Sequence, residues 1–156
     1  MCGFPPAILP PVLPASPGTY VLVLRLAETI HIQPGRLGGF TLETGLIVYV
    51  GSAHGPGGVR ARVRRHLRAE KALHWHIDYL STVAPVTEVW WTASEQRLEC
   101  AWAQHFAVLP GVTQPISGFG ASDCSCSTHL FALPEDTLRV AWETLGHPTR
   151  NGAICL

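Results

Sequence analysis

Surplus charge is what this chain most plainly lacks. Eleven basic and eleven acidic residues cancel over 156 positions, and charged side chains make up only 14% of the sequence. Such a balance excludes a protein that grips nucleic acid or an anionic membrane through its overall field. Long apolar runs are missing too: Pro, Gly or a charge interrupts each stretch well before the roughly 18 residues a membrane helix needs. The opening "MCGFPPAILPPVLPASP" has an apolar patch, but without the basic start of a secretory signal and with proline throughout it reads as an extended tail over residues 1–17. The five cysteines, Cys2, Cys100, Cys124, Cys126 and Cys155, are odd in number and irregular in spacing. That pattern excludes a disulfide framework and sets the expected compartment as the cytoplasm, with no membrane contact.

What is present is a 47% hydrophobic chain long enough to bury one core without staples. A single domain is expected over residues 18–145, followed by a C-terminal tail over 146–156. "GTYVLVLRL" (Gly18–Leu26), "LIVYVG" (Leu46–Gly51) and "VTEVWWTA" (Val86–Ala93) are rich in β-branched and aromatic residues and predict three strands. Between the first two, "TIHI" and "GFTLET" flank Pro34-Gly35 and predict a β-hairpin excursion. Val59, Val63 and Leu67 recur every four residues and mark the apolar face of a helix. Further helices are expected at "LHWHIDYLST", at "SEQRLECAWAQHFAVL" with Ser94 as its cap, and at "PEDTLRVAWETLG", with a short strand at "HLFAL". The fold class is therefore α/β (α+β): a small, central, mainly antiparallel three-stranded sheet flanked by helices.

Positive charge is concentrated where the total hides it. Arg60, Arg62, Arg64, Arg65, Arg68 and Lys71 are six of the eleven basic residues, with only Glu70 among them. Any anion-binding surface is expected there. The preceding "VYVGSAHGPGG" lacks both the Gly-Lys-Ser/Thr of a phosphate loop and the dinucleotide glycine pattern, and reads otherwise as a strand-to-helix turn. In "HWHIDYL", His74, His76 and Asp78 alternate, which suits either a second metal site or packing beside the first helix. In "DCSCSTH", Cys124, Cys126 and His129 suit zinc with a fourth ligand such as Cys100 or His105. The C-x-C spacing, however, is not that of a zinc knuckle, and a buried turn of small thiols is the competing reading.

Gly18-Thr19-Tyr20 on one strand, Tyr49-Val50-Gly51 on another, Arg62 on the next helix and Glu99 on a later one resemble the GIY-YIG endonuclease superfamily. "HWHIDYL", "SEQRLECAWA" and "GFGASDCSCSTHLF" resemble its uncharacterised Uri-type branch, so that the likeness covers roughly Gly18 to Pro134. The 28 residues between the motif tyrosines, Val21 through Val48, exceed the family's usual spacing, and the predicted hairpin fills the gap as an insertion. This resemblance implies metal-dependent hydrolysis of phosphodiester bonds in DNA, with RNA the related alternative. It gives Glu99 the role of sole carboxylate ligand to Mg²⁺ or Mn²⁺, Tyr49 the activation of water, Tyr20 the positioning of water or phosphate, and Arg62 the scissile phosphate. His66, one turn after Arg62, would face the same site as a rival general base. Arg60, Arg64, Arg65, Arg68 and Lys71 would then meet the nucleic-acid backbone. Two other functions fit the residues: a nucleic-acid-binding protein that keeps the fold without catalysis, and a zinc-binding structural or interaction protein built on Cys124, Cys126 and His129.

Overall fold

The computed structural model describes residues 12–152. Their elements run β1 (Gly18–Leu26), β2 (Ile30–Ile32), β3 (Phe40–Leu42), β4 (Gly45–Ala53), α1 (Gly58–Leu67), α2 (His76–Ser81), β5 (Val86–Ala93), α3 (Glu99–Ala107), β6 (Leu130–Leu133), α4 (Glu135–Thr144) and β7 (Thr149–Gly152), with a 3₁₀ turn at Gly35–Leu37. Among the described residues, no helix is long and apolar enough to cross a membrane.

The three expected strands lie side by side as β4-β1-β5, but the sheet has five strands rather than three. It is antiparallel throughout, in the order β6-β4-β1-β5-β7. β6 joins because Leu130–Leu133 completes the outer edge of β4, and β7 joins because Thr149–Gly152 pairs with Glu88–Trp91 of β5. β7 lies within the stretch expected to be a C-terminal tail. It is drawn in by its neighbours: Arg150 stacks 4.1 Å over Trp142, whose indole N–H donates to the Pro148 carbonyl at 2.8 Å. Residues 153–156, with Cys155, lie outside the described residues, as do residues 1–11 of the expected N-terminal tail, with Cys2.

Period-2 alternation along β1 sorts its side chains into two cores. Tyr20, Leu22 and Leu24 pack with Tyr49, Val59, Val63, Ile77 and Trp91 under α1 and α2. Val21 and Val23 pack with Val48, Trp90, Trp102, Phe106 and Leu138 under α3 and α4. Covered on both faces, β1 carries almost no polar side chain, which is why it reads as a continuous apolar run. The β2–β3 hairpin forms as expected, with Ile32 and Leu42 buried in the first core.

Residues 12–17 are partly anchored. Leu13 is buried, and the Ser16 and Pro14 carbonyls accept the N–H groups of Val59 and Arg60 at 3.1 and 2.9 Å. The first free donors of α1 are thereby satisfied by the chain itself, so the glycine turn works as a strand-to-helix connection and not as an anion cradle. Gly58 is required there: its φ is 57° and a Cβ would collide with the Ser16 carbonyl.

Two helices start later than expected. The Asp78 carboxylate accepts the backbone N–H of His74 and of Trp75, both at 2.8 Å, and so caps α2 at His76. Ser94 does not cap α3; its hydroxyl accepts from the Gln96 N–H at 3.1 Å in a local turn, and the helix waits until Glu99. Buried Thr19 then fixes that start, because its Oγ1 accepts the Leu98 N–H at 3.3 Å.

Candidate active site

Tyr20 from β1, Tyr49 from β4, Arg62 and His66 from α1, and Glu99 from α3 form one electrostatically coupled group. Antiparallel register sets Tyr20 opposite Gly51, and the missing Cβ of that glycine is where the Tyr20 ring lies. The glycines of both motifs are therefore spacers: a Cβ on Gly18 would run into the Thr92 carbonyl and Val59, and one on Gly51 into the Tyr20 ring. In the room so made, the Tyr20 hydroxyl meets His66 Nε2 at 2.7 Å, while the Tyr20 and Tyr49 ring centroids are 6.4 Å apart. Tyr49 also meets the edge of Phe119, with centroids 6.0 Å apart.

Burial sets the protonation states. It pushes the Tyr20 hydroxyl well above its ordinary pKa, with Tyr49 adding to the rise and Arg62 offsetting part of it. Tyr49 is raised for the same first reason, with the Glu99 charge second. His66 is lowered to about 3, by burial first and by the Lys71 cation second, so its imidazole is neutral at any working pH. A neutral imidazole accepts the Tyr20 O–H; as a general base in its own right, His66 is weak. Its Nδ1 faces Asp78 Oδ1 at 4.0 Å.

Glu99 stays ionised although partly buried. Burial alone would raise its pKa, but contacts with His129 and Ser52, followed by the charges of His129 and Arg62, outweigh it and hold the carboxyl below its usual range. His129 Nδ1 lies 2.7 Å from Glu99 Oε1, an ion-pair contact outside hydrogen-bond alignment. A single ionised carboxylate with 22% of its side chain exposed is a donor that suits a hard divalent ion otherwise ligated by water.

The basic segment divides into committed and free charges. Arg65 forms a two-pronged pair with buried Asp78 at 2.7 and 2.9 Å, and Lys71 donates to the His66 carbonyl at 2.6 Å. Burial raises the Asp78 carboxyl, but Arg65 and the two capping N–H groups outweigh it and bring the pKa to about 2. Trp75 lies between Arg62 and Arg65, each guanidinium carbon 4.2 Å from its ring centroid. Arg62 thus lines a cleft of about 230 Å³ with Gly55, Pro56, Arg65 and Trp75. Arg60 donates to the Leu13 carbonyl at 2.9 Å, while Arg64 and Arg68 are exposed.

The residues of "HWHIDYL" do not meet as a metal site: Asp78 is spent on Arg65 and the α2 cap, and His76 Nδ1 accepts the Gly120 N–H at 2.9 Å. Cys124 and Cys126 are not in a buried turn. Both are half-buried, Cys126 against the second core, and they gather with Cys100 and His129. His105 points elsewhere, to Thr144 at 2.6 Å. Thr19 and Ser52, which hold α3 and Glu99, are not distinguished by residue type. Their only signal is position, flanking the motif tyrosine and glycine and facing each other in register.

No curated protein and no solved structure matches this chain. A family model does match, over residues 19–147. That span holds both motif tyrosines, α1 and Glu99, and by it the chain belongs to the family described as a domain of unknown function, DUF123.

Proposed function

We propose that the protein is a metal-dependent endonuclease of the GIY-YIG type, in its Uri-type branch, hydrolysing phosphodiester bonds in DNA. The observation that carries this reading is that Tyr20, Tyr49 and His66 meet directly, Tyr20 bonding to His66 at 2.7 Å with its ring centroid 6.4 Å from that of Tyr49, while Arg62 and Glu99 act on both tyrosines through their charges. Packing alone asks for apolar contacts there, not for an arginine, an ionised carboxylate and two buried hydroxyls within reach of one another's charge.

In this mechanism Arg62, with one side open to the cleft, holds the non-bridging oxygens of the scissile phosphate and stays charged throughout. Glu99 would hold a Mg²⁺ or Mn²⁺ ion, which would supply positive charge against the phosphate. Tyr20 donates its O–H to His66 and so presents a lone pair that orients the attacking water. Tyr49 keeps its proton in the resting protein, since Arg62 alone does not offset burial and the Glu99 charge. It would accept a proton from water only after releasing its own to solvent, a loss that needs more positive charge beside its oxygen than Arg62 provides. Arg64 and Arg68 face solvent and are available to the nucleic-acid backbone.

The test is cleavage of labelled single-stranded, duplex, flap and junction DNAs, with matching RNAs, under Mg²⁺, Mn²⁺ and chelator. Cutting that needs metal and disappears in Arg62→Ala and Glu99→Gln is the expected result. A wild-type protein that binds these probes with salt-dependent affinity and cuts none of them is a non-catalytic binder, and the proposal fails.

A further inference from the structure

A second cluster of reactive side chains lies on the far side of Glu99, and the proposed cleavage chemistry does not use it. The Sγ atoms of Cys100, Cys124 and Cys126 and a ring nitrogen of His129 all lie within 4.8 Å of one another. Tetrahedral zinc, with Zn–S of about 2.3 Å and Zn–N of about 2.0 Å, sets its donors roughly 3.5 to 3.8 Å apart. Small side-chain adjustments bring this set around one ion. We infer that Cys100, Cys124, Cys126 and His129 hold a single zinc ion in a closed Cys₃His site. The inference does not depend on the nuclease reading.

The cluster is assembled from two places and is held from both. Cys100 is in the first turn of α3, where Thr19 fixes the helix start. Cys124 and Cys126 sit on a loop that folds back on itself: the Gly118 N–H donates to the Ser127 carbonyl at 2.7 Å and the His129 N–H to the Phe119 carbonyl at 2.8 Å. Buried Thr128 fastens the same loop to the Ile116 carbonyl at 2.8 Å. The two ring nitrogens of His129 face different groups: Nε2 lies 3.4 Å from Cys124 Sγ, and Nδ1 lies 2.7 Å from the Glu99 carboxylate. An imidazole that ligates zinc through one nitrogen commonly offers the other to a carboxylate, which fixes its tautomer and orientation.

Neither a disulfide nor a packing role for the thiols fits as well. Cys124 and Cys126 are two residues apart, a spacing at which a disulfide would be strained. Cys126 packs against the second core, but Cys100 and Cys124 do not, and all three are only half-buried. With four protein donors and no open position, the site is structural. It ties the loop entering β6 to the start of α3 and holds His129 against Glu99.

The full chain, purified under reducing conditions from zinc-replete cells, is expected to carry about one zinc per molecule by elemental analysis. Zinc content should fall at least about five-fold in Cys126→Ser and in Cys100→Ser. Exchange for Co²⁺ should give the intense visible bands of tetrahedral thiolate ligation. Because the variants risk misfolding, wild-type protein provides an independent reading: a chelator should lower its melting temperature, and zinc should restore it. Protein that purifies without stoichiometric zinc, and takes up Co²⁺ with no visible bands, overturns the inference. So does a disulfide between two of the three cysteines in the freshly isolated chain, or iron with sulfide in place of zinc.

Discussion

On one side of Glu99 the Tyr20 hydroxyl, the His66 ring and the Asp78 carboxylate belong to residues at least nine-tenths buried, and Tyr20 and Asp78 have close partners within the protein. On the other side three half-buried thiols gather around the buried imidazole of His129, which approaches Cys124 Sγ at 3.4 Å. The first group is held by packing and hydrogen bonds, although His66 Nδ1 has no hydrogen-bond partner among the described residues. The second brings four donors to one point, an arrangement that an ion completes. Glu99 contacts the second group through His129 and acts on the first through its charge, which raises Tyr49 and Tyr20.

The change with the largest expected effect is Glu99→Gln, at the residue that lies between the two sides. It removes the only carboxylate ligand proposed for the divalent ion, and cleavage is expected to fall by about 10³ or more, roughly 4 kcal/mol in barrier height. Single-turnover rates read this directly. Next in size is Gly51→Ala, which puts a methyl group where the Tyr20 ring lies. Overpacking at that point should cost about 3 kcal/mol and lower the melting temperature by roughly 10 °C, without removing any reactive group.

The self-contained side should also respond to acid. His66 has its pKa lowered to about 3, so the unfolded chain takes up a proton below about pH 6.5 that the folded protein refuses. Stability should be fully present above that pH and decline as pH falls from 6.5 toward 3, at up to about 1.4 kcal/mol per unit. Denaturant melts from pH 7 to 4 should show this slope, and His66→Asn should flatten it. Asp78 adds a smaller loss at lower pH. Its depressed pKa supplies stability that is present above about 4 and lost toward 2.

The smallest effect concerns charges that belong to neither group. Replacing exposed Arg64 and Arg68 with alanine should leave the melting temperature within about 1 °C and reduce the salt slope of duplex binding by roughly 0.9 for each phosphate no longer neutralised. Arg65→Ala should behave differently, destabilising the fold by about 3 kcal/mol, because it leaves the buried Asp78 carboxylate without its cation.

The same contrast explains what is legible in the sequence. β1, β5, the inserted hairpin and α1 can be read because local periodicity reports burial, and in these elements burial follows strand or helix geometry. The edge pairings cannot. β6 and β7 are four residues each, and their places beside β4 and β5 are decided by contacts distant in sequence. The late start of α3 is hidden because Ser94 has the residue type of a cap but spends its hydroxyl on a nearer N–H. Within the candidate site, Gly18, Tyr20, Tyr49 and Gly51 stand out as motifs, and the structure gives the steric reason for their glycines. That Arg65 serves Asp78 while Arg62 lies against Trp75 in a cleft cannot be told from a row of arginines. The meeting of Cys100 with Cys124, Cys126 and His129, and of His129 with Glu99, depends on a loop closure that leaves no periodic signal.

The most direct test of the proposed chemistry is the single-turnover cleavage rate of Glu99→Gln protein whose fold and zinc content match the wild type. Loss of metal-dependent cutting by about 10³ or more, with zinc retained, is the predicted result. Cutting at the wild-type rate would contradict it, because the carboxylate shared by the two groups would then have no part in the chemistry.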